Sequence, residues 1–511
     1  MYSVSRHPRS LLTASWALLA ALHLAGCSSE VRGARDGAQE PSRPNLVLVT
    51  VDTLRADHLS VYGYHRETSP NLARIAEEGL VFERAYSTMG TTMPAHLSLM
   101  TGLLPHQHGY VANHGAMRGG FRSEPGIQAV AELLQEDGYT TAAFVSGPTV
   151  GRATGLHTGF QLFDQHRPSG AQAIAETARN SGETARRAIQ WIEAAPVEPF
   201  FLWVHFWDTH EPNIPREPHA SAFESDAGVE ALLAERRVDP ERLAADFSEL
   251  ELARLFAVDW ALEGGEIELP PIDMDAVRDL YDRYDGDVLA VDAAFGQVLD
   301  ALEVSGHLDT SVVVFTSDHG QALGEHDWLE HGRIQQENLR VPLVMRFPEV
   351  TSLPSAAEER VGDVVSLIDV MPTVLGRYDL AASRALGAQA TGEDLFGVET
   401  PRGLAFAQRS VRDRDWEPCE ACDGLKYALV TPRWKYYHRP EGEDELYDLV
   451  ADPGELEDVA ASHPQVAENL KRRLIELAME RPRGLLPRGE VDPEVLQRYR
   501  ETLGQIGYTG E

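Results

Sequence analysis

The chain has 511 residues, 43% of them hydrophobic and 24% charged, with 42 Gly, 30 Pro and 3 Cys. This is globular composition, long enough for about two to four domains around a substantial core, and it excludes collagen-like, disordered and disulfide-built small folds. Lys plus Arg number 45 against 80 for Asp plus Glu, and the resulting charge of −35 repels nucleic-acid phosphates, which excludes a bulk DNA or RNA binder.

Arg6 and Arg9 precede an apolar stretch at residues 11–24, the outline of a secretory signal and shorter than the roughly 20 residues a membrane-spanning helix needs. Leu24-Ala25-Gly26-Cys27 looks like a bacterial lipobox. It implies a signal peptide over residues 1–26, cleavage before Cys27 and lipid attachment to its sulfur. With Ser28 and Ser29 next and no Asp, the expected place is the periplasmic or cell-surface side of an outer membrane, the lipid being the only membrane contact. Losing residues 1–26 removes two arginines and no acids, which takes the charge to −37. Residues 27–43 read as a polar tether.

Past the tether, apolar runs alternate with segments of helical period. Residues 45–51 are continuously apolar, and Ser69-Pro70 opens a capped helix. In TTMPAHLSLM, Pro94 suits a first helical turn, which puts Thr92 near the N-terminus, where free N–H groups favour an anion; a plain capping role for Thr91 or Thr92 is the alternative. Further strand-like runs cover residues 140–146, 200–206, 311–316 and 341–347. Val288, Val291, Phe295, Val298, Leu299 and Leu302 keep the three-and-four spacing of an amphipathic helix. The pattern predicts an α/β fold with a mostly parallel or mixed sheet sandwiched by helices, spanning residues 44–400. Residues 216–275, acidic and helix-prone, read as an insertion, conceivably a lid. Residues 401–511 turn to short Tyr- and Trp-rich strands and a last helix through Val466, Leu470 and Leu474, a smaller antiparallel-sheet subdomain.

Three of the apolar runs end in groups that bind metals or oxyanions: Asp52; Asp208 with His210; and Asp318 with His319. Ligands of open parallel sheets bind at the carboxyl ends of the strands, so these ends are expected to converge. The bland readings are a helix cap or turn for a lone Asp, loop packing for His106 and His108, rim positions for Glu325, His326 and Asp327, and a solvated hairpin tip for the acidic residues 441–445. Cys419-Glu420-Ala421-Cys422 has the spacing of a redox motif or half a zinc site. In an oxidising location with no other cysteines to join it, a local disulfide between Cys419 and Cys422 is the reading adopted.

Six ordered segments together resemble the sulfatase family of the alkaline phosphatase superfamily: PNLVLVTVDTLRADHLSVYGY, TSPNLARIAEEGLVFERAYS, TTMPAHLSLMTGLLPHQHG, PFFLWVHFWDTHEP, VVVFTSDHGQALGEHDWLEHG and LRVPLVMRFP, with ELYDLVADPGELEDVA as a late addition. The resemblance implies an alkaline phosphatase-like fold and metal-dependent hydrolysis of sulfate esters. The runner-up is a phosphodiester or phosphonate monoester hydrolase of the same superfamily. The substrate would be an anionic ester, a sulfated or phosphorylated small molecule or glycan.

Carried over by position, Asp52, Asp318, His319 and the Thr92 oxygen would hold one divalent metal ion, Ca, Mg or Mn, with Zn allowed by the imidazole. His210 would contact the sulfuryl oxygens, His331 would lie near the leaving group, and Asn113 would contact substrate. The family's CxPSR signature stands here as Thr92-Met93-Pro94-Ala95-His96. Threonine cannot become formylglycine, so none is expected, and catalysis would need the Thr92 oxygen itself, with His96 in the place of an arginine and sensitive to pH. Sulfo-threonine lacks the exit that formylglycine hydrate provides, which pulls toward phosphorus chemistry. A second metal held by Asp208, His210 and His331 would strengthen that pull. The altered nucleophile also leaves open a pseudo-sulfatase acting as a binding protein.

Overall fold

The computed structural model describes residues 43–113, 120–166, 178–223, 228–348, 359–409, 426–440 and 442–479. Cys27, Cys419 and Cys422, with the signal and tether segments, lie outside them. Residues 43–511 cluster as one unit.

The strands in chain order are β1 Asn45–Val51, β2 Leu80–Tyr86, β3 Thr140–Val145, β4 Leu162–Gln165, β5 Phe200–Phe206, β6 Ser311–Ser317, β7 Ala322–Leu323, β8 Leu329–Glu330, β9 Arg340–Val341, β10 Leu343–Arg346 and β11 Arg360–Ser366. Then come β12 Ala405–Arg409, β13 Lys426–Val430, β14 Trp434–His438 and β15 Glu445–Asp448. The main sheet has nine strands in the order β11-β2-β10-β6-β1-β5-β3-β4, with β9 beside β2. Strands β6, β1, β5, β3 and β4 run parallel, whereas β10 is antiparallel to both β6 and β2. The expected mixed, mostly parallel sheet is therefore present. β1, β5 and β6 are buried throughout because both faces are covered, which is why they read as mostly apolar runs rather than alternating ones.

Six helices matter to the site: α1 Pro70–Glu77, α2 Thr92–Thr101, α3 Ser181–Glu193, α4 Glu249–Phe256, α5 Met274–Val304 and α6 Pro464–Ala478. One face of the sheet packs Val47, Val49, Leu202 and Phe315 against Leu72 of α1, Ala188 of α3 and Val288 and Phe295 of α5. The other packs Leu46, Leu48, Phe201 and Val314 with Met93 and Leu97 of α2. Within the stretch at 216–275 the described residues form four short helices between Gly228 and Glu263, as the composition suggests, but Leu243, Leu252 and Leu255 join the first core, so these helices are packed body rather than a free lid.

The strand expected over residues 341–347 is two, β9 and β10, broken at Pro342, which has no N–H for a ladder. The C-terminal sheet, β12-β13-β14-β15, is antiparallel as expected. It shares apolar clusters with the main body: Leu104 and Ile368 meet Phe406, Leu429 and Leu474 of α6, and Tyr86 and Leu339 meet Ala407 and Tyr437.

Candidate active site

The register of three neighbouring strands builds the site. Val51 lies opposite Phe206 on β5 and Ser317 on β6, so the chain leaves all three strands at one level. Asp52, the 207–211 turn and Asp318-His319 consequently start side by side. Ser317 Oγ donates to Val51 O at 2.7 Å and accepts from Leu54 N at 3.0 Å, pinning the first exit to the third.

Asp52, Asp318 and His319 are fully buried, and one ligand atom from each lies within 4.8 Å of the others. Asp318 Oδ1 accepts from His319 N at 2.8 Å and Thr53 N at 3.2 Å. Among the described residues its Oδ2 and both oxygens of Asp52 have no hydrogen bond of standard geometry, although the Thr92 hydroxyl is close enough to favour Asp52's charged form slightly. Burial, then the charges of Asp318 and Glu211, push the Asp52 carboxyl well above the ordinary range, and burial does the same to Asp318. Two buried carboxylates with three unmatched oxygens suit a divalent cation. His319 Nδ1 is 3.0 Å from Gly320 O, which only accepts, so Nδ1 carries the hydrogen and Nε2 keeps its lone pair, the form in which imidazole ligates metals. The donor set thus fits one hard or borderline divalent ion.

Thr92 opens α2 behind Thr91, whose extended backbone forms the N-cap. Its Oγ1 is 3.3 Å from His319 Nε2. Asn113 Oδ1 accepts Met93 N at 2.9 Å, so the side chain expected to contact substrate caps the start of this helix beside Thr92. His96 is buried: Nδ1 donates to Thr92 O at 2.9 Å, and Nε2 lies 3.1 Å from Thr50 Oγ1, which takes the Trp203 indole hydrogen at 2.9 Å. Burial lowers its pKa to about 4, so at neutral pH it braces the first turn of α2 as a neutral ring and brings no positive charge. The pH sensitivity expected of it therefore falls below the neutral range.

His210 and His331 come together, their rings 5.0 Å apart, and His331 stacks on His319 at 4.9 Å. Trp207 stacks on His210 at 4.0 Å. A Cβ at Gly147 would meet Trp207 Cε3 at 2.0 Å, so only glycine lets the indole lie there. Burial lowers the pKa of both His210 and His331 to about 4. Asp208 stands apart from them: its carboxylate accepts Ser181 N at 2.7 Å and Ser181 Oγ at 3.0 Å, capping α3, so it is unavailable to the second metal set considered above.

Several residues near the site carry no sequence signal. His205, inside β5, is buried with its Nε2 3.8 Å from Asp52 Oδ2. Glu211 lies between His210 and His331. Glu330, pushed up to about 8 by burial and by Glu211, lies 3.9 Å from Arg254 of α4, which brings the insertion to the rim. Glu325 is no rim residue: it is buried, 2.7 Å from Arg55 and 2.9 Å from Arg236. His106 and His108 are buried in the short helix Pro105–His108, His108 Nε2 lying 3.2 Å from Ser98 Oγ, as packing residues should be. Among the described residues of the acidic stretch, 442–445, Asp444 meets His438 and Lys471 and Glu445 meets Lys426, so these acids are engaged rather than solvated.

Residues 44–380 match the family described as Sulfatase, and residues 324–480 match N-sulphoglucosamine sulphohydrolase, C-terminal. The chain is 24% identical to the N-acetylglucosamine-6-O-sulfatase of Bacteroides thetaiotaomicron over 86% of each. Among solved structures, the phosphonate monoester hydrolase of Agrobacterium radiobacter superposes with a TM-score of 0.64 at 25% identity, covering 85% of this chain and 95% of that one. BT4656 bound to D-glucosamine-2-N,6-O-disulfate superposes with a TM-score of 0.63 at 20% identity, covering 90% and 98%.

Proposed function

The chain belongs to the sulfatase family, and from that premise we propose that it is a metal-dependent hydrolase that cleaves sulfate esters with Thr92 as its nucleophile. The observation that carries this reading is the Thr92 hydroxyl at the start of α2, 3.3 Å from His319 Nε2 and beside the unmatched carboxylate oxygens of Asp52 and Asp318. Asp52, Asp318 and His319 would hold one divalent cation, Ca, Mg or Mn by their chemistry, with Zn allowed by the imidazole. Bound there, it supplies Lewis acidity that lowers the pKa of a neighbouring hydroxyl and offsets charge on ester oxygens.

The chain's residues do the rest. The α2 N-terminus, braced by His96 and Asn113, aims Thr92 Oγ1 at the ester centre and favours negative charge beside it. His210 contacts the equatorial oxygens, with Trp207 holding its ring. His331, beside the leaving group, assists departure of the alcohol. Water then releases the anion from Thr92.

The substrate is an anionic ester on a small molecule or glycan. Support for a sulfated sugar comes from the relative named N-acetylglucosamine-6-O-sulfatase and from the solved structure that holds a disulfated glucosamine. A second reading, a phosphonate monoester or phosphodiester hydrolase, is favoured by the likeness to the phosphonate monoester hydrolase and by the difficulty of releasing sulfate from threonine. Protein starting after Cys27, assayed with each metal on aryl sulfate, phosphate monoester, diester and phosphonate substrates, decides between them. Highest kcat/KM on the sulfate supports the first reading; highest on a phosphorus ester replaces it with the second. No turnover with metal bound makes the chain a binding protein. The proposed anchor is the Cys27 lipid, and recovery of Cys27→Ala in the same lipid-labelled membrane fraction as wild type would refute it.

A further inference from the structure

Resting on the hydrolase reading of this site, we propose that Glu455, in the loop after β15, is a positioning residue whose carboxylate holds the segment 331–338 and so sets where His331 stands. Its side chain is 1% exposed. Oε2 accepts Gln336 N at 3.0 Å, and Oε1 is 2.8 Å from the ammonium of Lys435, a fully buried residue of β14. The Tyr437 hydroxyl, on the same strand, lies 3.1 Å from both carboxylate oxygens and 3.0 Å from Ile334 O, so it can donate to either partner. Glu455 O is 3.4 Å from His326 Nε2, and the Glu455 backbone keeps φ at 54°, a left-handed conformation that a non-glycine residue holds only where its surroundings fix it.

The segment so held runs along the centre described above. His331 opens it, with its ring stacked on His319. A Cβ at Gly90, two residues before Thr92, would meet Arg333 O at 2.4 Å, so the backbone of the segment presses on the approach to the nucleophile position. Asn338 O accepts Gly320 N at 2.8 Å, beside His319, and Asn338 Oδ1 accepts Arg333 N at 3.1 Å, which ties the two halves of the segment together. With its inner side on Gly90 and Gly320 and its outer side on Glu455, the segment is clamped from both directions.

Apolar contact alone could join the C-terminal sheet to the main body, and Tyr86, Leu339 and Tyr437 already do so. Apolar packing has no direction, whereas hydrogen bonds to a carboxylate are short, directional and strengthened by its charge. Lys435 balances that charge, as a buried acid requires. The bonds from Glu455 to the segment fall at Gln336 and, through Tyr437, at Ile334, so Glu455 reaches His331 through the backbone it holds.

The test measures kcat on the ester that wild type turns over fastest, in a cycle of Glu455→Ala, His331→Ala and the double variant of the full-length protein. Glu455→Ala is expected to lower kcat about 30-fold when His331 is present and less than about threefold when it is already alanine, because misplacing a group costs rate only while the group is there. Equal losses in the two backgrounds, or no loss, overturn the proposal. Glu455→Asp, which keeps the charge but is one methylene short, takes the place of Glu455→Ala if that variant does not fold. Glu455→Gln combined with Lys435→Met keeps the acceptors and leaves no buried charge unpaired, and it should recover most of the lost kcat; a loss equal to that of Glu455→Ala counts against the proposal. Hydrogen exchange gives a readout without turnover. The Gln336 amide should exchange at least about tenfold faster in Glu455→Ala, with the amides of β1, β5 and β6 unchanged, and unaltered protection at Gln336 overturns the proposal. Wild type inactive on every ester, with that change in exchange intact, would instead count against the hydrolase reading.

Discussion

Thr92 Oγ1 lies 3.3 Å from His319 Nε2, and the His319 ring is held in place by its other nitrogen, which donates to Gly320 O at 3.0 Å. A hydroxyl on the first residue of a buried helix is thereby set against the one imidazole of the Asp52-Asp318-His319 group. Thr92→Ala removes that hydroxyl without disturbing the N-cap, which belongs to Thr91. We expect kcat/KM on the best substrate to fall at least about 10³-fold while the circular dichroism spectrum and metal content hold. Thr92→Ser is expected to keep part of the activity. Near-wild-type turnover by Thr92→Ala would refute the nucleophile assignment.

Without metal, the charged forms of Asp52 and Asp318 are costly because burial raises both pKa values. For a carboxylate raised on folding, the stabilising contribution is present at pH below the ordinary value and fades as pH rises through the folded one. Chelated protein should therefore lose stability as pH climbs from acid toward neutrality. Asp52→Asn is expected to flatten that decline and to raise the metal-free Tm by about 1–3 °C. It should also abolish the rise in Tm that added divalent metal produces in wild type. Calorimetry with and without chelator tests both halves.

His326 pairs with Glu337 at 2.9 Å. Burial opposes its charge, yet Glu337 and then Glu455 outweigh burial and raise its pKa to about 9. A histidine raised on folding contributes stability in full below about 6.5 and loses it as pH rises through about 9. Denaturant unfolding between pH 6 and 9.5 should show a decline on the order of 1–3 kcal/mol in wild type. The decline should be smaller in His326→Gln, and an equal slope in the two proteins would exclude the pair as a source.

Arg254, on α4 of the insertion, is half in solvent and 3.9 Å from Glu330 beside His331. On a chain of charge −35 it offers an anionic ester a positive charge on the approach. Arg254→Ala is expected to raise KM about 3–10-fold at low salt with kcat little changed, and the gap should narrow as salt screens the charge. A KM difference independent of ionic strength would argue for a packing role instead.

The residues most legible in the sequence sit where a fully buried strand stops. Asp52 and Asp318 are the first polar groups after runs that only a sheet covered on both faces can accommodate. β2 was not legible, because Glu83 and Arg84 interrupt its apolar pattern where the strand is only partly buried. Pro94 signalled the start of α2, but nothing local signalled that Asn113 caps it from 20 residues away.

His96 shows the limit from the other side. Its place in the family signature suggested a charged or titrating group, whereas a buried ring tied to Thr92 O and Thr50 stays neutral, and only the packing around it reveals that. Glu211 read as one more acid in a loop of a very acidic chain.

What the sequence by itself determined is the kind of fold, the family and which acidic and imidazole groups stand at the strand ends, because strand periodicity and strand-end chemistry are written in consecutive residues. What the tertiary structure alone decided is which distant groups share one small space. Glu211 between two histidines, Arg254 at the rim and Asp208 drawn off to cap α3 all follow from strand register and helix placement. Hydrogen bonding and electrostatics act over a few ångströms, and in one dimension these groups are separated by tens to hundreds of residues.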